Sequence, residues 1–282
     1  KKEMIAIAES GSTKCEWVIL NEEKQVIQNF KTQGFNPDFH DSDFIFNSLS
    51  TSEDFLAIRN EINTIYFYGA SCSSECLNKI VVEGLQRVFA NAKILVDHDL
   101  LAAARSLCGD EPGIACIIGT GTNSCRYDGQ KIVENVPSLG WAIADEGGGT
   151  YLGKTLVTDY YRKDMPKHLR IIFKEEFELT KDGFLSKMYQ EPMPGRFLAS
   201  FAKFIGKHIS EPYMHELVTH GFDLFLTKNV LKYEGHKELP VHFTGSVAYY
   251  FGNILRDVAI DKGLQVKHIS QQPIAGLTLF HQ

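Results

Sequence analysis

The sequence has little of what marks membrane, secreted or nucleic-acid-binding proteins. No uninterrupted apolar run approaches the ~20 residues that span a bilayer, and the amino end lacks the charged-then-apolar pattern of a signal peptide. The 29 Lys and Arg residues are outnumbered by 35 Asp and Glu, which gives a formal net charge of −6. Nucleic-acid binding usually needs a basic face. We therefore expect neither a nucleic-acid partner nor a membrane partner.

Cysteines are also few, and their spacing excludes a disulfide framework. The six lie inside apolar or helix-like segments, which is typical of reduced thiols. Cys72 and Cys76 resemble half of a zinc site, but no second Cys/His pair follows at zinc-like spacing. We expect a cytoplasmic protein that carries ordinary buried or surface thiols.

The 282 residues, 44% of them hydrophobic, are enough for two domains with real cores. Short extended stretches at residues 4–8, 15–20 and 25–31 predict a strand meander. Strands and helices then alternate, and an apolar strand at 113–119 begins a second series, mostly helical from 147 to 232. This pattern predicts two α/β units in tandem, residues 1–110 and 111–282, with a ligand cleft between the lobes.

Two turns of small residues follow apolar strands, at residues 9–14 (ESGSTK) and 119–123 (GTGTN). Small residues let backbone N–H groups approach an anion, and hydroxyls add donors. Neither turn is a Walker A loop, because GxxxxGK[ST] occurs nowhere in the chain. Either turn alone also fits an ordinary hairpin, but the pair predicts a site that holds a phosphate chain from two sides.

Acidic residues stand at two further places. Asp97 and Asp99 follow a strand at residues 92–96, where carboxylates commonly line an α/β ligand cleft. Either aspartate could instead cap the helix that begins near Leu100. Paired acids precede three glycines at residues 139–149 (LGWAIADEGGG), which suits a polyhydroxyl ligand.

A fifth segment, residues 244–248 (TGSVA), is a turn from a strand into a helix. Glycine there permits close approach to a ring or phosphate, and a helix amino end favours anions. Taken alone, a plain turn explains this segment better than a binding role does.

Together and in this order, these strings resemble the N-acetylglucosamine kinase group of the BadF/BadG/BcrA/BcrD ATPase family, in the clan of actin and hexokinase. The most specific strings are GSTK (11–14), GFNP (34–37), GTGTN (119–123) and GWAIADEG (140–147). The resemblance runs from about Ile5 to Leu279. It implies two ribonuclease-H-like lobes that close over Mg²⁺, ATP and an amino sugar, and a homodimer is the assembly common in this clan.

The resemblance also implies roles for single residues. Asp99 matches the catalytic base, and Glu9 matches the carboxylate that holds Mg²⁺ through water. The cofactor-binding positions are Gly11, Ser12, Thr13, Lys14, Gly119, Gly121, Thr122, Asn123, Gly245 and Ser246. The positions that contact the sugar are Asn36, Thr120, Gly140, Trp141 and Asp145. Whether the sugar is N-acetylglucosamine, glucosamine or N-acetylmuramic acid stays open.

Three positions depart from the family's pattern: Glu9 stands in place of aspartate, His98 in place of asparagine, and Gly148 in place of serine. Glutamate is one methylene longer, and Mg²⁺ tolerates little geometric error. A non-catalytic or weakly active sugar or nucleotide sensor therefore remains an alternative. A second alternative is the ATPase that activates a 2-hydroxyacyl-CoA dehydratase through an iron–sulfur cluster, which Cys116 and Cys125 favour and the GFNP and GWAIADEG strings oppose.

Overall fold

The computed structural model describes residues 3–11 and 14–282. The chain divides into two compact units, the first formed by residues up to Asp110 together with Pro273–Gln282, the second by Glu111–Gln272. In the described part of the chain, no helix combines the length and the apolar character needed to cross a membrane.

The first unit contains a five-stranded sheet built from β1 (Met4–Ser10), β2 (Lys14–Leu20), β3 (Val26–Gln33), β4 (Ile62–Gly69) and β5 (Lys93–His98). Their order is β3-β2-β1-β4-β5. The first three strands form the antiparallel meander, whereas β4 and β5 run parallel to β1. The helices between them are α1 (Ser42–Ser50), α2 (Glu53–Leu56), α3 (Glu75–Val88) and, after β5, α4 (Asp99–Cys108).

Alternation along β1 decides which side chains reach the core of the first unit. Ala6 and Ala8 lie in an apolar cluster with Trp17, and because side chains alternate along a strand, Glu9 faces the opposite side of the sheet. Within that cluster, Trp17 and Phe55 meet edge to face at 4.9 Å between ring centroids. Such pairs add to the stability gained from burial alone.

The second unit repeats this sheet with β6 (Gly113–Ile118), β7 (Thr122–Tyr127), β8 (Ile132–Glu134), β9 (Pro240–Thr244) and β10 (Gln265–Ser270). The order is β10-β9-β6-β7-β8, which is the order of the first sheet when each is read from its meander. Six helices lie between β8 and β9: α5 (Gly149–Arg162), α6 (Lys167–Phe177), α7 (Lys181–Tyr189), α8 (Pro194–Ser200), α9 (Ala202–Lys207) and α10 (Pro212–Lys228). Two more, α11 (Ser246–Tyr250) and α12 (Gly252–Asp261), lie between β9 and β10.

The last helix, α13 (Ile274–His281), packs on α4 of the first unit. Arg105 donates to the Tyr68 hydroxyl at 2.7 Å, and that hydroxyl lies 2.9 Å from Nε2 of His281. Burial, reinforced by the Arg105 charge, lowers the pKa of His281 to about 4. The neutral imidazole therefore accepts the Tyr68 proton, and this chain of hydrogen bonds fixes the end of the polypeptide.

The prediction of two α/β units in tandem is confirmed. Two details differ from the sequence-based expectation. Residues 122–123, expected in the turn, begin β7, a strand that was not predicted because its sequence, TNSCRY, is largely polar. Residues 273–282, assigned to the second lobe from the sequence, belong to the first unit because α13 packs there.

Candidate functional site

The first phosphate turn connects β1 to β2. The Gly11 amide donates to the Lys14 carbonyl at 3.0 Å, while Ser12 and Thr13, two of the expected cofactor-binding residues, lie outside the described residues. The Lys14 ammonium lies 3.1 Å from the Glu16 carboxylate, which also pairs with Lys31 at 3.1 Å. These two lysines hold the pKa of Glu16 below its ordinary value even though burial opposes them.

Glu9, the expected magnesium partner, lies in a distinctly acidic environment. Its Cα is paired with that of Glu16 on β2, and the charge of Asp99 acts on it as well. Burial first, and then these two carboxylates, raise the pKa of Glu9 to about 7. Lys14 compensates only in part, so this end of β1 carries negative charge that favours a bound cation.

Asn36, expected at the sugar, is buried in the loop between β3 and α1. Its side-chain oxygen accepts from the Asp38 amide at 2.9 Å. The loop is tied to the first phosphate turn through Ser10, whose buried hydroxyl accepts from the Phe35 amide at 2.8 Å. The structure thus brings the asparagine loop and the end of β1 together.

Asp99, the expected base, is the first residue of α4. The cap of this helix is His98, whose Nδ1 accepts from the Leu101 amide at 3.2 Å, so neither Asp97 nor Asp99 is the N-cap that the sequence left open. Burial raises the pKa of Asp99, while the neighbouring His98 and the amides of Leu100 and Asp99 itself oppose the shift. An aspartate whose pKa is moved toward neutrality is a better proton acceptor for an alcohol.

The second phosphate turn, Gly119-Thr120-Gly121, connects β6 to β7. Gly119 donates to the Gly121 carbonyl at 3.0 Å, and the amides of Gly149 and Thr150 at the start of α5 donate to the carbonyls of Gly119 and Thr120 at 2.8 and 2.9 Å. Within residues 3–11 and 14–282, the amides of Thr120 and Gly121 have no acceptor. Two oriented, unused N–H groups in a turn of small residues suit a phosphate oxygen.

Asp145, expected at the sugar, is buried against this turn. Its Oδ1 accepts from the Thr122 amide at 3.1 Å, and a Cβ at Gly121 would lie 2.6 Å from its Oδ2. Asp145 also adopts a positive φ of 65°. The carboxylate therefore positions the second phosphate turn, and burial raises its pKa.

The two other loop residues assigned to the sugar lie close by in sequence. Gly140 has a φ of 78°, in the region that favours glycine. The Trp141 ring packs beside Gly195, where a Cβ would be 3.1 Å from the indole. Leu139 and Ile143, on either side of them, are largely exposed.

A cavity of about 490 Å³ in the second unit connects several of the predicted segments. One end is formed by Gly119, Thr120 and Gly149, and Ser246 lies on one wall. Gly245 adopts a φ of 118°, and a Cβ there would collide with the Ile118 carbonyl. Only glycine therefore lets the turn at residues 244–248 lie against the second phosphate turn.

Helices α8 and α9 supply the opposite wall, which sequence reasoning missed. Its residues recur at helical spacing: Ala199 in α8, Ala202, Lys203 and Gly206 in α9, and Ile209 just after α9. That spacing predicts a helix face, but small side chains give no sign that the face borders a cavity. Gly121, Thr122 and Asn123 do not line the cavity, and the Asn123 oxygen accepts from Ser124 and Asn135.

The cysteines give no support to a cluster. Cys116 faces Ser124 across the β6–β7 pair, whereas Cys125 faces Ala115, so Cys116 and Cys125 point to opposite faces of the sheet. The six cysteines, all of them in the described ranges, form no disulfide. Residues 3–11 and 14–282 contain no group of three His, Cys, Asp or Glu side chains arranged to hold a metal by themselves.

Comparison with solved structures identifies close relatives in fold. The "Putative N-acetylglucosamine Kinase" from Porphyromonas gingivalis is 39% identical with a TM-score of 0.91, over 99% of this chain and 98% of that chain. A protein of the same name from Chromobacterium violaceum is 14% identical (TM-score 0.75, 99% of both chains). The ROK hexokinase from Thermus thermophilus is 12% identical (TM-score 0.58, 99% of this chain and 97% of that chain).

The second and third of these structures show the fold alone. No family model matches the chain, and no curated protein matches it either. The first comparison goes further because 39% of the residues are identical across nearly the whole of both chains. The chain therefore belongs to the same family as the Porphyromonas protein, the N-acetylglucosamine kinase group of the BadF/BadG/BcrA/BcrD ATPases within the actin/hexokinase-like clan.

Proposed function

We propose that the protein transfers the γ-phosphoryl group of ATP to a hydroxyl of an amino sugar of the N-acetylglucosamine type, at the 6-OH. The observation that carries this proposal is the cavity of the second unit, which ends at a glycine turn where the Thr120 amide has no acceptor within the described residues. Its volume of about 490 Å³ lies within the range of small-molecule sites. The names of the Porphyromonas and Chromobacterium proteins support an amino sugar as the acceptor of the phosphoryl group.

The first unit supplies the proton acceptor in this proposal. Phosphoryl transfer depends mostly on positioning and on neutralising charge, so the protein has to orient the sugar hydroxyl and remove its proton. Asp99 suits this task because its backbone is fixed at the start of α4 and burial raises its pKa. The proton of the hydroxyl passes to the Asp99 carboxylate as the new P–O bond forms and the bond to ADP breaks.

Glu9 fits a magnesium ion that is held mainly by water and by the phosphates of the nucleotide. The acidic surroundings that raise its pKa to about 7 would be relieved by a cation. Bound there, the ion would neutralise charge on the transferred phosphate. The longer glutamate, where the family carries aspartate, is the reason to keep a weakly active sensor as the second candidate.

Asn36 and Asp145 are the polar groups proposed to recognise sugar hydroxyls, with Thr120, Gly140 and Trp141 completing the contact. The buried Asp145 carboxylate already accepts from Thr122, so the proposal gives it two tasks, one toward the sugar and one toward the phosphate turn. We further propose a cytoplasmic homodimer, which size-exclusion chromatography with light scattering would test.

The test is an ADP-release assay with Mg²⁺ and ATP against N-acetylglucosamine, glucosamine and N-acetylmuramic acid, with nucleotide binding measured separately. We expect ADP release that depends on one of these sugars, and a phosphorylated product that mass spectrometry and NMR place at O6. Nucleotide binding without sugar-dependent ADP release would overturn the kinase assignment in favour of the sensor. A purified protein that contains iron would favour the dehydratase activator instead.

A further inference from the structure

The cavity of the second unit has two chemically different ends. The end at Gly119, Thr120 and Gly149 offers the backbone amide and the hydroxyl of Thr120. The other end lies between the α9 wall and α11, where Gly206 approaches the Phe251 ring closely enough that a Cβ would be 3.7 Å from it. If the phosphates lie at the first end, as the proposed function requires, the nucleobase lies at the second.

The second end contains almost no group that could read the edge of a base. The residues that line the cavity include no Asp, Asn, Glu, Gln, Arg or His. Thr120 and Ser246 belong to the two turns, which leaves Lys203 and Tyr250 as the polar side chains along the rest of the cavity. Ile209 and Phe251 complete an apolar surface there.

Neither of these two polar side chains imposes a fixed hydrogen-bond pattern. The Tyr250 hydroxyl accepts from Gln271 at 3.2 Å, and the residue is 70% exposed, so it offers mainly a ring face. Lys203 is exposed and has no ion-pair partner within the described ranges. Its ammonium is a donor on a flexible stem, which can reach a ring nitrogen of adenine or the 6-oxo group of guanine equally well.

From this arrangement we propose that the protein accepts purine nucleoside triphosphates as a class, selects them by stacking and shape, and does not distinguish the 6-amino group of ATP from the 6-oxo group of GTP or ITP. A site built to hydrogen-bond a substrate rejects analogues by ~10⁴–10⁵-fold, whereas an apolar pocket discriminates by only ~10–200-fold. Pyrimidine nucleotides bind more weakly because their smaller rings stack over less area. The proposal rests on the proposed function for the direction in which the nucleotide lies.

The test measures nucleotide binding without sugar, by displacement of a fluorescent ATP analogue with ATP, GTP, ITP, CTP and UTP. We expect the dissociation constants of the three purine nucleotides to agree within ~10-fold and those of CTP and UTP to be ~10–100-fold weaker. A preference for ATP over GTP above ~10³-fold would overturn the proposal, because it would reveal hydrogen-bond recognition of the base.

Two neighbouring tyrosines on α11 provide the variant and its matched control. Tyr250→Ala removes the ring that lines the cavity, and we expect ~10-fold weaker binding of all three purine nucleotides. Tyr249→Ala removes a half-exposed ring that does not line it, and we expect unchanged binding. Equal effects of the two substitutions would overturn the assignment of the base end.

The outcomes separate this proposal from the proposed function. Binding of ATP, GTP and ITP without sugar phosphorylation would leave the inference intact and refute the kinase. Sugar phosphorylation with ATP alone would confirm the kinase and refute the inference. A protein that binds none of the five nucleotides would refute both.

Discussion

The sheets of the two units have the same strand order, but the groups at their strand ends differ in charge. In the first unit, Glu9 near the end of β1 and Asp99 after β5 are acidic, and each has a pKa raised by burial. In the second unit, the corresponding strands β6 and β10 end at Ile118 and Ser270, and the turn after β6 offers uncharged N–H donors. In the proposed function, this duplicated scaffold would carry proton and cation chemistry on one copy and anion binding on the other.

Positive-φ residues follow corresponding strands in both units. Strand β4 is followed by Ser71 with a φ of 64°, and β9 is followed by Gly245 with a φ of 118°. In the second unit the glycine is required because a Cβ would collide with Ile118. The first unit makes a comparable contact through other residues, since the Ala70 amide after β4 donates to the Ser10 carbonyl at the end of β1 at 2.9 Å.

The sharpest test of the comparison is Asp99→Asn. If the first unit carries the proton chemistry, loss of the base should lower kcat ~10²–10⁴-fold and leave ATP affinity within twofold, as measured by steady-state kinetics and nucleotide displacement. The matched control is Asp97→Asn, since Asp97 is 44% exposed and lies 4.0 Å from Arg105. Near-normal turnover of Asp99→Asn, or an equal loss in the control, would contradict the assignment of the base.

Two glycines in the second phosphate turn separate a steric role from a ligand-binding role. Gly121→Ala places a Cβ against the Asp145 carboxylate, and we expect a loss of ~1–3 kcal/mol of stability together with at least ~10-fold weaker nucleotide binding. Gly119→Ala meets nothing within 4 Å but lines the cavity, so its melting temperature should stay unchanged while nucleotide binding weakens. An unchanged melting temperature for Gly121→Ala, read by thermal unfolding, would show that Asp145 does not constrain the turn.

Local sequence patterns predicted the two α/β units and the turns that follow β1 and β6, because apolar runs and glycine turns act over a few residues. They did not predict β7, whose sequence, TNSCRY, becomes a strand only through pairing with β6. They also missed Lys203 and Tyr250, since a cavity wall depends on which helix faces meet in three dimensions. Asp145 was expected from the resemblance, but its contact with Gly121 spans 24 positions and left no local signal.

Among the described residues, each unit also contains a histidine with a pKa lowered to about 4 by burial, the partly buried His281 in the first and the buried His242 in the second. Because the folded state favours the neutral ring, each histidine contributes stability that is fully present above about pH 6.5 and is lost as the pH falls toward 4. Between pH 8 and pH 5, each histidine should therefore lower the free energy of unfolding by about 2 kcal/mol. The two differ in bonding, because His281 accepts from Tyr68 whereas Nδ1 of His242 has no partner within the described ranges.

Substitution should therefore have different effects on stability at pH 8 in the two units. His281→Gln weakens the Tyr68 bond and should cost about 1 kcal/mol of stability at pH 8; because the natural protein loses about 2 kcal/mol by pH 5, the variant should be about 1 kcal/mol more stable than it there. His242→Leu removes an unsatisfied polar atom, so it should be nearly neutral at pH 8 and more stable than the natural protein at pH 5. Unfolding midpoints at both pH values give the comparison, and a His242→Leu curve parallel to that of the natural protein would contradict the lowered pKa.

The smallest expected effect concerns how the helix at each site begins. In the second unit, α5 has no side-chain cap, and its first amides bind the carbonyls of the phosphate turn. In the first unit, α4 begins with the side-chain cap of His98, directly before the proposed base. Only the first helix start can therefore be altered by exchanging a side chain. His98→Ala should lower the free energy of unfolding by about 1 kcal/mol. It should also lower kcat several-fold, because Asp99 would be held less firmly.

His98→Asn is the matched control for that substitution, because asparagine is among the best N-cap residues and the family commonly carries it at this position. The asparagine variant should recover both the melting temperature and kcat, since the cap needs only an acceptor for the Leu101 amide. If His98→Asn is as slow as His98→Ala while its melting temperature is normal, the imidazole contributes to turnover beyond capping. The pH profile of kcat would then show whether the imidazole acts through the pKa of Asp99.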